Sequence, residues 1–144
     1  MTIDIAKIAS ILGGERVLRR RVGSLADLEQ VVAAGLPLRA LDAAARYVAG
    51  NGRAATALKD GLVPRATRSR RTRLKLGESE RVERLARTMA LAEEVWENRE
   101  DAVAFLNEPH PMLEEKAPLD MAATELGARR VEQLLTQMEY GLPV

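Results

Sequence analysis

Residues 125–141 read ELGARRVEQLLTQMEYG. Leu126, Val131, Leu134, Leu135 and Met138 fall at the three- and four-residue spacing that gathers side chains on one face of a helix. Thr124 or one of its neighbours can cap the first turn, and Glu125 follows at the positive end of the helix dipole. Gly141 is placed to end the helix, and Pro143 blocks its continuation. Before it lies a loop, Asn107-Glu-Pro-His-Pro-Met-Leu113 and then Pro118-Leu-Asp120. That loop is too short and too punctuated by proline to fold alone, so its place is on the helices beside it.

Working outward, Glu78 to Glu97 predicts the longest helix, with Val82, Leu85, Ala86, Met89, Ala92 and Trp96 on one stripe. Glu80 to Arg84 and Glu83 to Arg87 are supporting pairs on its outer face. Asn98 breaks or caps, and a helix from about Arg99 to Asn107 buries Ala102, Phe105 and Leu106. Trp96 and Phe105 are expected in a small core. Upstream, Gly77 is the best boundary. Ile3, Ile5, Ile8, Ile11 and Leu12 predict a short helix stopped at Gly13-Gly14, and residues 16–22 a brief extended piece. Ser24 caps a helix with Leu25, Leu28, Val31 and Val32 inward, ended by Gly35. Pro37 opens the next at a first-turn position, with Leu38, Leu41, Ala45 and Val48 inward and Asp42 to Arg46 as a supporting pair. After the turn Gly50-Asn-Gly52, a helix from Arg53 to about Asp60 carries Ala54, Ala57 and Leu58 inward and ends at Gly61. Pro64 opens a last short helix over 64–73.

Composition narrows the function. Among 144 residues there is no cysteine and one histidine, His110, which excludes thiol chemistry and a histidine-based metal cluster within one chain. No stretch approaches the roughly 18 apolar residues of a membrane span. The start, MTIDIAKI, lacks the pattern of a signal peptide. The expectation is a soluble, cytoplasmic, all-α protein without cofactor. Net charge is +1, but residues 1–75 carry 15 Lys+Arg against 6 Asp+Glu, and residues 76–144 carry 7 against 15. A basic half followed by an acidic half suggests two partners: a polyanion for the first, a protein surface or only solvent for the second.

The short helices at 38–49, 53–60 and 64–73, with glycine turns between, outline a helix-turn-helix unit. The last carries Arg65, Thr67, Arg68, Arg70, Arg71 and Arg73, with no acid between Gly61 and Gly77. Arginine forks pair with guanine edges and phosphates, and a threonine hydroxyl adds phosphate contacts. The competing reading is a solvated basic linker. Enzymatic readings are weak: the carboxylates are typical of exposed helix acids, His110 sits between two prolines without an identifiable orienting partner, and no phosphate loop, nucleophile elbow or metal spacing is present.

The second half resembles the toxin-binding domain of Xre/MbcA/ParS-type antitoxins. The ordered set that carries this is Arg84-Leu-Ala86, Ala90-Leu-Ala92-Glu93, Phe105-Leu106, Pro109 and Pro111 before Leu113, Pro118-Leu-Asp120, Thr124-Glu125, Gly127, Arg130-Val131, Leu134-Leu135 and Glu139-Tyr-Gly141. The first half looks like the helix-turn-helix domain that precedes it in this family, with Gly35-Leu-Pro37 at its opening and Pro64-Arg-Ala-Thr67 then Arg70-Arg71 near its end. Where the family commonly has glycine after the loop leucine, this chain has Leu113-Glu-Glu-Lys116.

The resemblance implies two domains, 1–76 binding operator DNA and 77–144 binding a RES-type toxin that consumes NAD or transfers ADP-ribose. It implies occlusion of the toxin's active site, autorepression of a shared promoter, and a homodimer within a toxin–antitoxin hetero-oligomer. It implies no catalysis. An acidic helix end and its adjoining loop suit a cleft that admits a dinucleotide, which places toxin contact at Asn107, Pro109, Met112, Leu113, Glu139, Tyr140, Gly141 and Leu142. The alternatives are a stand-alone helix-turn-helix regulator whose second half dimerises, and an adaptor whose basic helix meets protein.

Overall fold

The computed structural model describes residues 3–141, and among them the fold is all-α, with ten α-helices, one 3-10 turn and no strand. Asp4–Ala86 forms one compact unit and the chain from Arg87 onward, with Ile3, a second.

In the first unit α1 (Ile5–Ile11) is capped by Asp4, whose carboxylate accepts the Lys7 N–H, and it buries Ile8 and Ile11. The backbone then turns through positive φ at Gly13 and Gly14 into α2 (Gly14–Leu18). Residues 16–18 are therefore helical where an extended piece was expected. A short run of mixed residues has no decisive period, and burying Leu18 suffices to hold a single turn. Ser24 caps α3 (Leu25–Ala33) as its type predicts, but Leu25 is 65% exposed and Leu28 is the buried anchor. In α4 (Leu38–Ala49) Ala40, Leu41, Ala44, Ala45 and Val48 are buried. Pro37 is its N-cap rather than its first helical residue, and Asp42 pairs with Lys59 at 3.2 Å.

The turn through Gly50 and Gly52, both at positive φ, leads to α5 (Arg53–Leu62), which packs on α4. Gly61 lies inside this helix. Ala55 is its buried residue, whereas Ala54 and Ala57 are exposed; small side chains gave the sequence pattern no contrast with which to fix the face. The helix expected over 64–73 shrinks to α6 (Arg65–Arg68). Its apolar face is too thin to continue, and the following backbone pairs elsewhere. The Leu74 N–H donates to the Leu36 carbonyl at 2.8 Å and the Leu38 N–H to the Thr72 carbonyl at 3.0 Å. Gly35 is required at this clasp: its φ is 91°, and a Cβ would lie 2.5 Å from the Leu74 carbonyl oxygen. The Leu36 N–H is met by the buried Ser79 hydroxyl at 2.9 Å.

α7 (Leu76–Trp96) runs through Gly77 and buries Val82, Leu85, Ala86, Met89 and Ala92 as the stripe predicts. Trp96, at its last position, is 39% exposed instead of in the core. Within the second unit, Asn98 caps α8 (Arg99–Asn107), whose Ala102, Phe105 and Leu106 are buried. A 3-10 turn (Pro111–Leu113) and α9 (Pro118–Met121) fill what the sequence left as loop. Thr124 caps α10 (Glu125–Glu139) by accepting the Gly127 N–H at 3.0 Å. The buried face of α10 is Gly127, Ala128, Val131, Leu134 and Leu135. Leu126 is 74% exposed, a correction to the expected stripe. α9 approaches so closely that a Cβ on Gly127 would overlap the Met121 carbonyl oxygen, so glycine and alanine take the inward places and leucine is turned out.

Candidate functional site

The 107–120 loop is organised by its own backbone. His110 pairs with Lys116 in an isolated antiparallel bridge, and its N–H donates to the Lys116 carbonyl at 3.1 Å. The His110 carbonyl accepts from both Leu113 and Glu115, and His110 Nδ1 accepts the Met112 N–H at 3.1 Å. Glu114 and Glu115 both adopt left-handed backbone, at φ 53° and 62°. Left-handed backbone is what glycine adopts without strain, and the resemblance led to an expectation of glycine at this place. The Glu114 carboxylate is gripped by both Nη atoms of Arg130, at 2.7 and 2.6 Å, and Arg130 also reaches the Met112 carbonyl. That fork holds the Glu114 carboxyl below its ordinary pKa and raises that of Arg130.

The expected toxin-contact residues occupy different positions. Leu113 is buried and holds the loop from beneath. The Asn107 amide turns back to the Val103 carbonyl at 2.8 Å. Pro109, Met112, Glu139, Tyr140 and Gly141 are exposed. Leu142 lies outside the described residues.

A groove of about 290 Å³ brings Pro109 and His110 together with Trp96, Phe105 and Met138, and Asp101 and Glu108 lie on its rim. The Trp96 and Phe105 rings are 5.9 Å apart, and His110 meets Phe105 edge-on at 6.2 Å. Apolar walls with acidic edges form a surface suited to another protein, and Met112 and Tyr140 of the same unit are exposed as well. Sequence reasoning missed Trp96 here because its spacing on α7 assigned it to the core; its place at the helix end, four residues beyond Ala92 and next to acidic Glu97, was the available signal.

The basic candidates divide. Arg68 pairs with Asp60 at 2.7 Å, and its Nη1 is buried without a hydrogen-bond partner. Arg71 forks onto Glu78 with two bonds of 2.8 Å, which holds the Glu78 carboxyl below its ordinary range; the Lys75 N–H adds to this. Arg73 donates to the Gly35 carbonyl at 2.8 Å. Thr67 is half-buried. Arg65 and Arg70 are exposed and make no side-chain hydrogen bond or ion pair among the described residues.

Among these residues no group of His, Asp and Glu is placed to hold a metal ion, and no helix is long and apolar enough to cross a membrane. No curated protein matches the chain. Residues 91–141, however, match the antitoxin Xre/MbcA/ParS C-terminal toxin-binding domain. This span includes the loop, the groove and α10. This similarity supports an antitoxin role for the chain.

Proposed function

We propose that the chain neutralises a RES-type, NAD-consuming toxin by covering its active site with the surface of residues 77–144. Residues 1–76 act as a helix-turn-helix domain that binds operator DNA and represses the shared promoter. The antitoxin works as a homodimer within a toxin–antitoxin hetero-oligomer. The observation that carries the reading is the toxin-binding match over residues 91–141, a span that presents exposed Met112 and Tyr140 and the acid-rimmed groove at Trp96. For the first half, support comes from α4 and α5 packed across a three-residue glycine turn, and from a +9 balance over residues 1–75.

The test is co-expression with the product of the adjacent reading frame. A stable complex in which NAD consumption is suppressed is the expected result. An adjacent protein that neither binds the chain nor touches NAD would overturn the RES assignment.

A further inference from the structure

Three arginines that the sequence pattern scatters are gathered by the fold of the first unit. Arg19 follows α2, Arg39 lies in the first turn of α4, and Arg73 lies in the clasp opposite Pro37. Together with Arg71 and Thr72, and with Val17, Pro37 and Leu38 as its apolar wall, they line one open groove of about 360 Å³. Arg71 is neutralised by Glu78. Arg19 and Arg39 are exposed and have no side-chain partner among the described residues, and Arg73 spends one Nη on the Gly35 carbonyl. The first turn of α4 contains no acid, so the positive end of its dipole adds to the field here. Arg19 sits at φ 59°, left-handed backbone that a non-glycine residue rarely adopts, and this conformation closes α2 at the groove's edge.

From this convergence we infer that the groove holds a phosphate of a DNA backbone, clamped by Arg19, Arg39 and Arg73 with the Thr72 hydroxyl beside them. The inference rests on the DNA-binding reading of residues 1–76 and deepens it. Guanidinium forks match phosphate oxygens, and a hydroxyl is a common additional donor to them. The open form of the groove and the wider basic balance of this half favour a polyanion over a small enclosed ligand. Neither Arg19 nor Arg39 belongs to the arginine run at 65–73, so periodicity and charge counting did not single them out.

The test is a salt titration of the full-length protein on a mixed-sequence DNA duplex. Wild type is compared with the double variant Arg19→Asn, Arg39→Gln, and with Arg16→Gln as an exposed control outside the groove. Asparagine tolerates the left-handed backbone at position 19, and both replaced side chains lack internal partners, so the melting temperature serves as the check on folding. The clamp predicts that the double variant loses up to about one unit of the log–log salt slope and binds about fivefold more weakly near 0.15 M salt. Arg16→Gln keeps the wild-type slope. An unchanged slope in the double variant, or an equal loss in Arg16→Gln, overturns the clamp while leaving DNA binding standing. No duplex binding by wild type overturns the DNA-binding reading itself. Inorganic pyrophosphate is titrated in parallel: saturable binding abolished by the double variant, with DNA binding untouched, assigns the groove to a small phosphate ligand and overturns the nucleic-acid assignment.

Discussion

At Gly127 a methyl group has no space, because the Met121 carbonyl oxygen occupies the Cβ position. Gly127→Ala must therefore push α9 off α10, and overpacking of this kind costs about 2–3 kcal/mol. Gly61 offers the contrast: it lies within α5, is exposed, and has nothing within 4 Å of a Cβ. Gly61→Ala should stabilise by about 0.5–1 kcal/mol through helix propensity. Thermal unfolding of the two variants should thus shift in opposite directions. A related comparison separates backbone from charge at Glu114. Glu114→Gln weakens the Arg130 fork but keeps a side chain in left-handed backbone, whereas Glu114→Gly loses the fork and relieves the backbone by about 1 kcal/mol. The glycine variant should melt above the glutamine variant; the reverse order would show that a side chain at this position is needed for more than its charge.

The start of α7 is a small electrostatic assembly. Glu78 receives the Arg71 fork and the Lys75 N–H, so its folded-state pKa lies below the ordinary glutamate value. A carboxyl lowered in the folded state stabilises fully above its unfolded pKa, and that contribution disappears as pH falls through the lower folded value. The stability difference between wild type and Glu78→Gln should be largest near neutral pH and shrink below about pH 4.5. Denaturant titrations at several pH values check this. The same assembly alters how the arginine run is tested. Removing Arg71 or Arg68 also breaks an ion pair, so weaker DNA binding in those variants mixes folding with contact. Replacing Arg65 and Arg70 with glutamine should lower the salt slope of DNA binding with little change in melting temperature, whereas Arg71→Gln should lower the melting temperature. Why some elements were legible and others not follows from the same physics. Ser24, Asn98 and Thr124 announced their helices because a cap is a local event, settled by one side chain and an N–H three residues on. The truncation of the 64–73 helix was not legible, because its backbone is claimed by residues 36–38, far away in sequence. Nor was the outward turn of Leu126, which depends on how near α9 comes. The toxin-binding resemblance was readable from an ordered set of residues, but the Trp96 groove and the Arg19–Arg39 groove needed the fold to assemble them.

For the whole molecule, the two halves carry opposite charge, +9 over residues 1–75 and −8 over residues 76–144, and the proposed division of labour makes their functions separable. Val131 is fully buried in α10, so Val131→Asp places an unpaired charge in a small core at a cost of several kcal/mol. Toxin neutralisation should fail in that variant. A protein truncated to residues 76–144, which keeps α7 intact, should retain neutralisation and lose DNA binding. On the proposed function, one part of the second half silences the toxin. The NAD-consuming site proposed for that toxin must admit a dinucleotide, so its entrance is narrow and suited to negative charge. The end of α10 offers acidic Glu139 and a 63% exposed Tyr140 before the chain turns at Gly141. The groove at Trp96 offers a broader apolar face. These two surfaces predict different phenotypes. If the helix end is the plug and the groove the anchor, Tyr140→Ala combined with deletion of Leu142–Val144 should leave the toxin bound yet restore its NAD turnover. Trp96→Ala should instead speed dissociation while each surviving complex remains silent. Measuring complex lifetime and NAD turnover on the same samples decides the matter: suppressed turnover in an intact complex carrying the shortened end would remove the end of α10 from the inhibitory contact and leave occlusion to the groove face.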